Sequence, residues 1–174
     1  MTATEPHAIE DGPDTPVVDD RSKQPITTDE IEAELERRGH VVTSWEGLGS
    51  ITLENTGAVT SQYRIGLPSQ NSSPTVFKVF FPPHCRIEAH THDCDYTEVI
   101  LQGSQKVSGR WLHEGDIRIG LANKGYGPLI AGPDGVTVLV VFADGNWPAI
   151  QIGAGDGSTL GTSQLTENFS SSAD

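Results

Sequence analysis

The side chains best suited to bind a metal ion lie in one short stretch, HTHDCDYTEVILQG, at residues 90–103. His90 and His92 are one residue apart, and side chains on a β-strand alternate between its two faces, so both histidines project from the same face. Tyr96 and Glu98 have the same spacing and also share a face. The stretch ends in a glycine, where the chain is expected to turn back. A strand, a tight turn and a second strand would bring these four metal-capable side chains together.

This stretch resembles the first signature motif of the cupin superfamily, a His-x-His pair followed by a glutamate and then by a glycine. The segments WLHEGDIRIG and NKGYGPLIAGPDG resemble the second cupin motif in part, and the resemblance extends over roughly residues 75–145. In that second motif, Gly115 and Asp116 match the usual start. The resemblance implies an all-β chain folded as a cupin-type β-barrel or jelly roll.

Two positions depart from the cupin pattern. Counted back from Gly103, Tyr96 stands at the family's glutamate position, and a glutamate follows two places later as Glu98. In the second motif, Tyr126 stands where the family has a histidine. The metal ligands that the resemblance implies are therefore the two histidines of the first motif, completed by some combination of these three residues.

Three chemical readings follow for the site. With Glu98 as a ligand, two histidines and one carboxylate would leave open positions, a set that suits non-haem Fe(II) and also accepts Zn, Mn or Ni. With Tyr96 or Tyr126 as a ligand, a phenol of ordinary pKa about 10 must lose its proton, which a divalent cation can bring about. In the third reading, a tyrosine stays off the metal as a general acid or base. Tyr96, Glu98 and Tyr126 are thus the candidate catalytic residues, and His90, His92 and Glu98 the candidate metal ligands.

The resemblance favours a small cupin enzyme that holds one divalent metal ion, with Fe as the first expectation and Zn, Mn or Ni as alternatives. Its substrate would be a small organic molecule. Dioxygenation is the first reaction class to test, and lyase or isomerase chemistry with a metal and a Tyr/Glu acid–base pair is the second. The alternative is a non-catalytic cupin module that binds a small ligand or acts as a sensor, which the missing second-motif histidine favours.

Two further residues are candidates for substrate binding. Arg118 could anchor a substrate carboxylate, because a guanidinium makes paired hydrogen bonds to such groups, although a surface role is equally compatible with its position. Trp111 could form an aromatic wall of the site or simply pack. His84 and His113 fall at turn positions and are not expected to be ligands.

Composition and charge exclude several classes of function. The chain has 174 residues and a formal net charge of -13, which argues against binding to nucleic acid or to an anionic membrane surface. No apolar run approaches the length of a membrane span, and the N-terminus lacks a secretory signal pattern, so a cytoplasmic location is expected. Cys85 and Cys94 are expected to be free thiols in that reducing compartment.

The chain is expected to form one domain with flexible ends. Residues 1–25 are acidic and almost without apolar clusters, so we expect a disordered tail, and residues 153–174 are rich in Gly, Ser and Thr and predict a second one. Residues 26–152 form the predicted cupin domain. Its expected strands cover residues 49–54, 60–66, 75–81, 85–92, 96–102, 104–108, 116–120, 127–131, 136–143 and 148–152.

A short helix is predicted over Thr28–Arg38. Thr27 and Glu30 have the spacing of a capping box, and Gly39 offers a C-terminal stop. The apolar residues of this helix form one narrow stripe that needs a sheet edge or a second subunit to cover it. A homodimer is therefore a further expectation.

Overall fold

The computed structural model describes residues 20–145, 147 and 149–152. The predicted C-terminal tail and residues 1–19 of the predicted N-terminal tail lie outside these described residues. The described end of the N-terminal segment begins with a single 3-10 turn at Asp20–Lys23. Within the described residues, no helix is long and apolar enough to cross a membrane.

The prediction of a capped helix is confirmed. Helix α1 spans Thr28–Arg38, and the Thr27 side chain accepts a hydrogen bond from the Glu30 backbone N–H while the Glu30 carboxylate accepts one from the Thr27 backbone N–H. Gly39 ends the helix in the left-handed conformation, at φ 78°, which glycine adopts without steric cost. No residue of α1 is buried, and its apolar stripe lines an open groove in front of the sheet. The homodimer stays a prediction.

The other regular elements of the described chain are β-strands that pair antiparallel, in line with the predicted all-β fold. The strands are β1 (Ile51–Thr52), β2 (Val59–Arg64), β3 (Thr75–Phe81), β4 (Arg86–Ile87), β5 (His90–Thr91), β6 (Tyr96–Val107), β7 (Arg110–His113), β8 (Ile117–Gly120), β9 (Leu129–Phe142) and β10 (Ile150–Gln151).

The long strands β6 and β9 form the centre of the main sheet. Its order is β1-β2-β3-β9-β6-β7, with β4 paired to β9 and β8 paired to β6, and a separate two-stranded sheet joins β5 to β10. The nearly continuous apolar run 135–142 forms most of β9, which pairs with β6 along its length. The inner faces of these strands bury the core, whose largest members are Phe77, Tyr96, Ile100 and Phe142.

The predicted turn at Gly103 is wrong. Strand β6 continues through this residue to Val107, and its pairing with β9 shifts register on either side of Gly103. Gly103 has a φ of 78°, and a side chain there would collide with the Gly135 backbone, so the glycine serves a bulge instead of a reversal. The chain turns back later, at Ser108 and Gly109.

Candidate functional site

Strand β5 and the chain around Tyr126 face each other through a pair of backbone hydrogen bonds. The His90 N–H donates to the Tyr126 carbonyl at 3.0 Å, and the Tyr126 N–H donates to the His90 carbonyl at 3.0 Å. This isolated bridge joins residues that are distant in sequence and fixes the tyrosine directly opposite the first histidine. Tyr126 stands at the position of the family's second-motif histidine, and this bridge places it in the site.

Two imidazole nitrogens converge on one phenol oxygen. His90 Nε2 lies 2.7 Å from Tyr126 Oη, and His92 Nε2 lies 3.0 Å from the same atom. The other ring nitrogens point away, with His90 Nδ1 2.8 Å from the Glu88 carbonyl and His92 Nδ1 2.6 Å from the Trp147 carbonyl. A carbonyl oxygen only accepts hydrogen bonds, so both Nδ1 atoms carry the proton and both Nε2 atoms present a lone pair. Both histidines are only 6% exposed.

His90, His92 and Tyr126 together have too few protons for the hydrogen bonds that their geometry offers, and this shortage of protons suits a bound cation. The hydroxyl of Tyr126 has one proton, which it can donate to only one of the two Nε2 atoms at a time. The second Nε2 lone pair then faces an oxygen that has no proton for it, which is costly for buried groups. A cation between the three atoms would remove the shortage, and two imidazoles with a phenolate form a donor set that suits Fe or Zn. His90, His92 and Tyr126 therefore fit a divalent metal ion.

Burial favours the neutral forms of Tyr126 and His90. Burial raises the pKa of the Tyr126 phenol well above its ordinary value, and the nearby Arg118 charge only partly opposes this. Burial likewise lowers the pKa of His90, which favours the neutral imidazole. Loss of the phenol proton would thus require a positive charge brought close to the oxygen.

Glu98 is held by other residues. Its carboxylate receives Arg118 Nε at 3.2 Å on one oxygen and Arg118 Nη2 at 3.1 Å on the other, and Gln105 Nε2 donates to it as well. The reason is sheet register, because Glu98 and Arg118 are direct cross-strand partners on β6 and β8. Within residues 20–145, 147 and 149–152, no group of three His, Cys, Asp or Glu side chains could hold a metal ion. The structure therefore does not assemble the expected set of His90, His92 and Glu98.

Arg118 links the carboxylate to the tyrosines. Its Nη1 donates to Tyr96 Oη at 2.6 Å, and its guanidinium carbon lies 4.0 Å from the centre of the Tyr126 ring. The rings of Tyr96 and Tyr126 lie with their centres 5.6 Å apart, and burial raises the pKa of Tyr96. Arg118, the expected substrate anchor, thus already binds the Glu98 carboxylate and the Tyr96 hydroxyl. It also packs on the Tyr126 ring.

A chamber of about 270 Å³ opens beside the cluster. His90, His92, Glu98 and Tyr126 contribute to its wall, whereas Tyr96 lies behind Tyr126 and is not among its lining residues. Trp111 does not reach it either. That side chain is 45% exposed on β7 and stacks against His113. The expected aromatic wall at this position is not part of the site.

Two contributors to the site were missed by the sequence reasoning. Trp147 lines the chamber and supplies the carbonyl that orients His92, but it lies beyond the last strand of the main sheet, where no periodicity marks it. Gln105 is 1% exposed and binds Glu98, although the two residues have opposite parity along β6. The bulge near Gly103 reverses which residues point inward, so strict alternation from Glu98 would put Gln105 on the opposite face.

No family model matches the chain, and no curated protein matches it. Among solved structures, it is similar to oxalate decarboxylase from Bacillus subtilis. A single-residue variant and the structure at pH 4.6 each give a TM-score of 0.51 at 21% identity, covering 63% of this chain and 31% of that chain. A variant with a two-residue deletion gives a TM-score of 0.51 at 22% identity with the same coverage.

This chain therefore matches less than a third of the length of those chains. At this level of identity the likeness concerns the fold. The neighbours are cupin jelly-roll proteins, and the predicted all-β cupin-type jelly roll is confirmed.

Proposed function

We propose that this chain is a metal-dependent cupin enzyme that acts on a small organic molecule. The observation that carries the proposal is the convergence of His90 Nε2 and His92 Nε2 on Tyr126 Oη, with both Nδ1 atoms already committed to backbone carbonyls. Backbone partners of this kind orient histidine ligands in metal sites. The metal would be held by these three side chains, with Tyr126 in place of the carboxylate that the sequence suggested.

Fe and Zn are the metals that we propose first, because imidazole suits both. Mn is also supported, since a Bacillus subtilis oxalate decarboxylase structure with the same fold was used to study its Mn(II) centres. When bound, the ion would supply Lewis acidity that polarises a substrate oxygen. The surrounding chain would orient the ligands and exclude water, since both histidines are buried.

The reaction class that the geometry favours is lyase or isomerase chemistry. Oxygen-activating iron sites commonly use two histidines and one carboxylate, and here Glu98 is occupied by Arg118 and Gln105. Tyr126 holds a proton at the chamber wall, where it can bind the cation or exchange a proton with substrate. Tyr96 and Arg118 lie behind it, and the Arg118 charge favours the anionic form of both phenols. Dioxygenation remains a second reaction class, to be tested if iron binds.

One observation favours a second candidate function. The described residues provide no group of three His, Cys, Asp or Glu side chains, which is the composition of most protein metal sites. A non-catalytic module that binds a small ligand in the chamber would need no such group. The two candidates differ in whether the histidine pair binds a metal at all.

Metal binding distinguishes the two functions. The full chain, purified without a metal-affinity tag, would be analysed for Fe, Mn, Ni and Zn and titrated calorimetrically with Zn²⁺, Mn²⁺ and, without oxygen, Fe²⁺. We expect a single equivalent to bind, and the variants His90→Ala and His92→Ala to lose it. The matched control is His40→Ala, because this histidine is exposed and lies outside the cluster. No binding by the wild type, or equal binding by the two cluster variants, would leave the ligand-binding module as the function.

A further inference from the structure

The chamber beside the histidines is small and mainly apolar. Its volume of about 270 Å³ equals roughly nine water molecules at their liquid volume. Aromatic rings supply much of the wall, and Phe77 packs on both Phe142 and Trp147, with ring centres 5.7 and 4.8 Å apart. The wall includes Phe77, Val79, Phe81, Val140, Phe142 and Trp147. Such a surface stabilises a ligand mainly by removing its apolar area from water.

The cationic side chains near the chamber are already paired. Arg86 lies on its wall and donates from Nε at 2.8 Å and from Nη2 at 3.2 Å to the carboxylate of Glu88. Arg118 binds Glu98 in the same two-point manner. Among the described residues that line the chamber, no arginine or lysine is left without a carboxylate. In the metal-free chain, a ligand with two negative charges would therefore meet two carboxylates, with no unpaired arginine or lysine among the described lining residues to offset its desolvation.

We infer that the substrate of this site has an apolar body and a single oxygen-bearing head, and that the metal-free chamber does not bind short dicarboxylates such as oxalate. The body fills the space between the aromatic rings, and the head points to His90, His92 and Tyr126. The position of the head rests on the proposed function, whereas recognition of the body rests on the chamber alone.

Ligand-induced thermal shifts test this inference on the full chain. The probes are three small ketones with apolar bodies, namely acetophenone, cyclohexanone and 2-hexanone, compared with oxalate and malonate. Each would be added to the protein as purified and to protein freed of metal with a chelator that is then removed. At about five times its dissociation constant, a ketone that fits should raise Tm by roughly 2–4 °C. Oxalate and malonate should give no rise with the metal-free chain.

Filling the chamber provides the structural control. Val140→Phe and Ala149→Phe each place a ring on the chamber wall, and both should abolish the ketone shift measured against the variant's own Tm. Ala149 lies outside the strands, so its variant keeps the test usable if Val140→Phe folds poorly. The matched control Val42→Phe, at a residue that is 77% exposed, should retain the full shift.

The outcomes separate this inference from the proposed function. Failure of all three ketones, or stabilisation of the metal-free chain by oxalate, overturns the inference even if the histidines bind metal. Ketone shifts that disappear in both filled variants support it even if no metal binds, and in that case only the proposed function fails.

Discussion

Two arginine–glutamate pairs in this protein share one geometry and differ in burial. Arg118 reaches Glu98 at 3.2 and 3.1 Å, and Arg86 reaches Glu88 at 2.8 and 3.2 Å, each through Nε and Nη2. The side chains of the first pair are 17% and 5% exposed, whereas those of the second are 51% and 65% exposed. Replacing each arginine by methionine therefore measures how burial changes the contribution of the same ion pair to the free energy of unfolding.

Arg118→Met should be strongly destabilising. It leaves the buried Glu98 carboxylate with Gln105 as its remaining side-chain donor, and removing one partner of a buried ion pair costs roughly 3–5 kcal/mol. A loss of about 3–5 kcal/mol should lower Tm by roughly 6–20 °C in a chain of this length.

Thermal and urea unfolding at pH 7 would measure this difference. Arg86→Met is the matched control, and its Tm should stay close to that of the wild type because solvent already screens the exposed pair. Replacing both Glu98 and Arg118 by apolar residues should recover much of the loss. Equal Tm changes for the two arginine variants would refute the reasoning from burial.

Three further predictions concern the site, the thiols and the helix. Tyr126→Phe should weaken the affinity for Zn²⁺ by about tenfold or more in calorimetry, because it removes the oxygen on which both imidazoles converge, and an unchanged affinity would exclude this oxygen as a ligand. Burial and the charge of Asp144 raise the pKa of Cys94 to about 11. In the native chain, iodoacetamide at pH 8 should therefore modify Cys85 before Cys94, as measured by mass spectrometry. The reverse order of modification would contradict this prediction. Thr27→Ala should lower the free energy of unfolding by about 1 kcal/mol in urea titrations through loss of the N-cap, whereas an unchanged value would show that α1 unfolds independently of the barrel.

Local sequence signals determined some of the regular elements at their observed bounds. The capping box and the glycine stop predicted α1 at Thr28–Arg38, and a run of β-branched and aromatic residues predicted β3 at Thr75–Phe81. These signals act between residues a few positions apart, so the sequence alone contains them. The same reasoning placed His90 and His92 on one face, and both are buried at the site. The motif resemblance indicated the jelly roll.

Long-range pairing decided which side chains meet at the site. The bulge at Gly103 depends on the approach of the Gly135 backbone, and it turned Gln105 inward toward Glu98. The register of β6 against β8 gave that carboxylate to Arg118 and so withheld it from the histidines. No local period encodes these partners, because each pairing joins residues that are distant in sequence and is selected by packing of the whole sheet. The sequence determined which chemical groups are present, and the tertiary structure decided that Tyr126, through its backbone bridge to His90, completes the cluster.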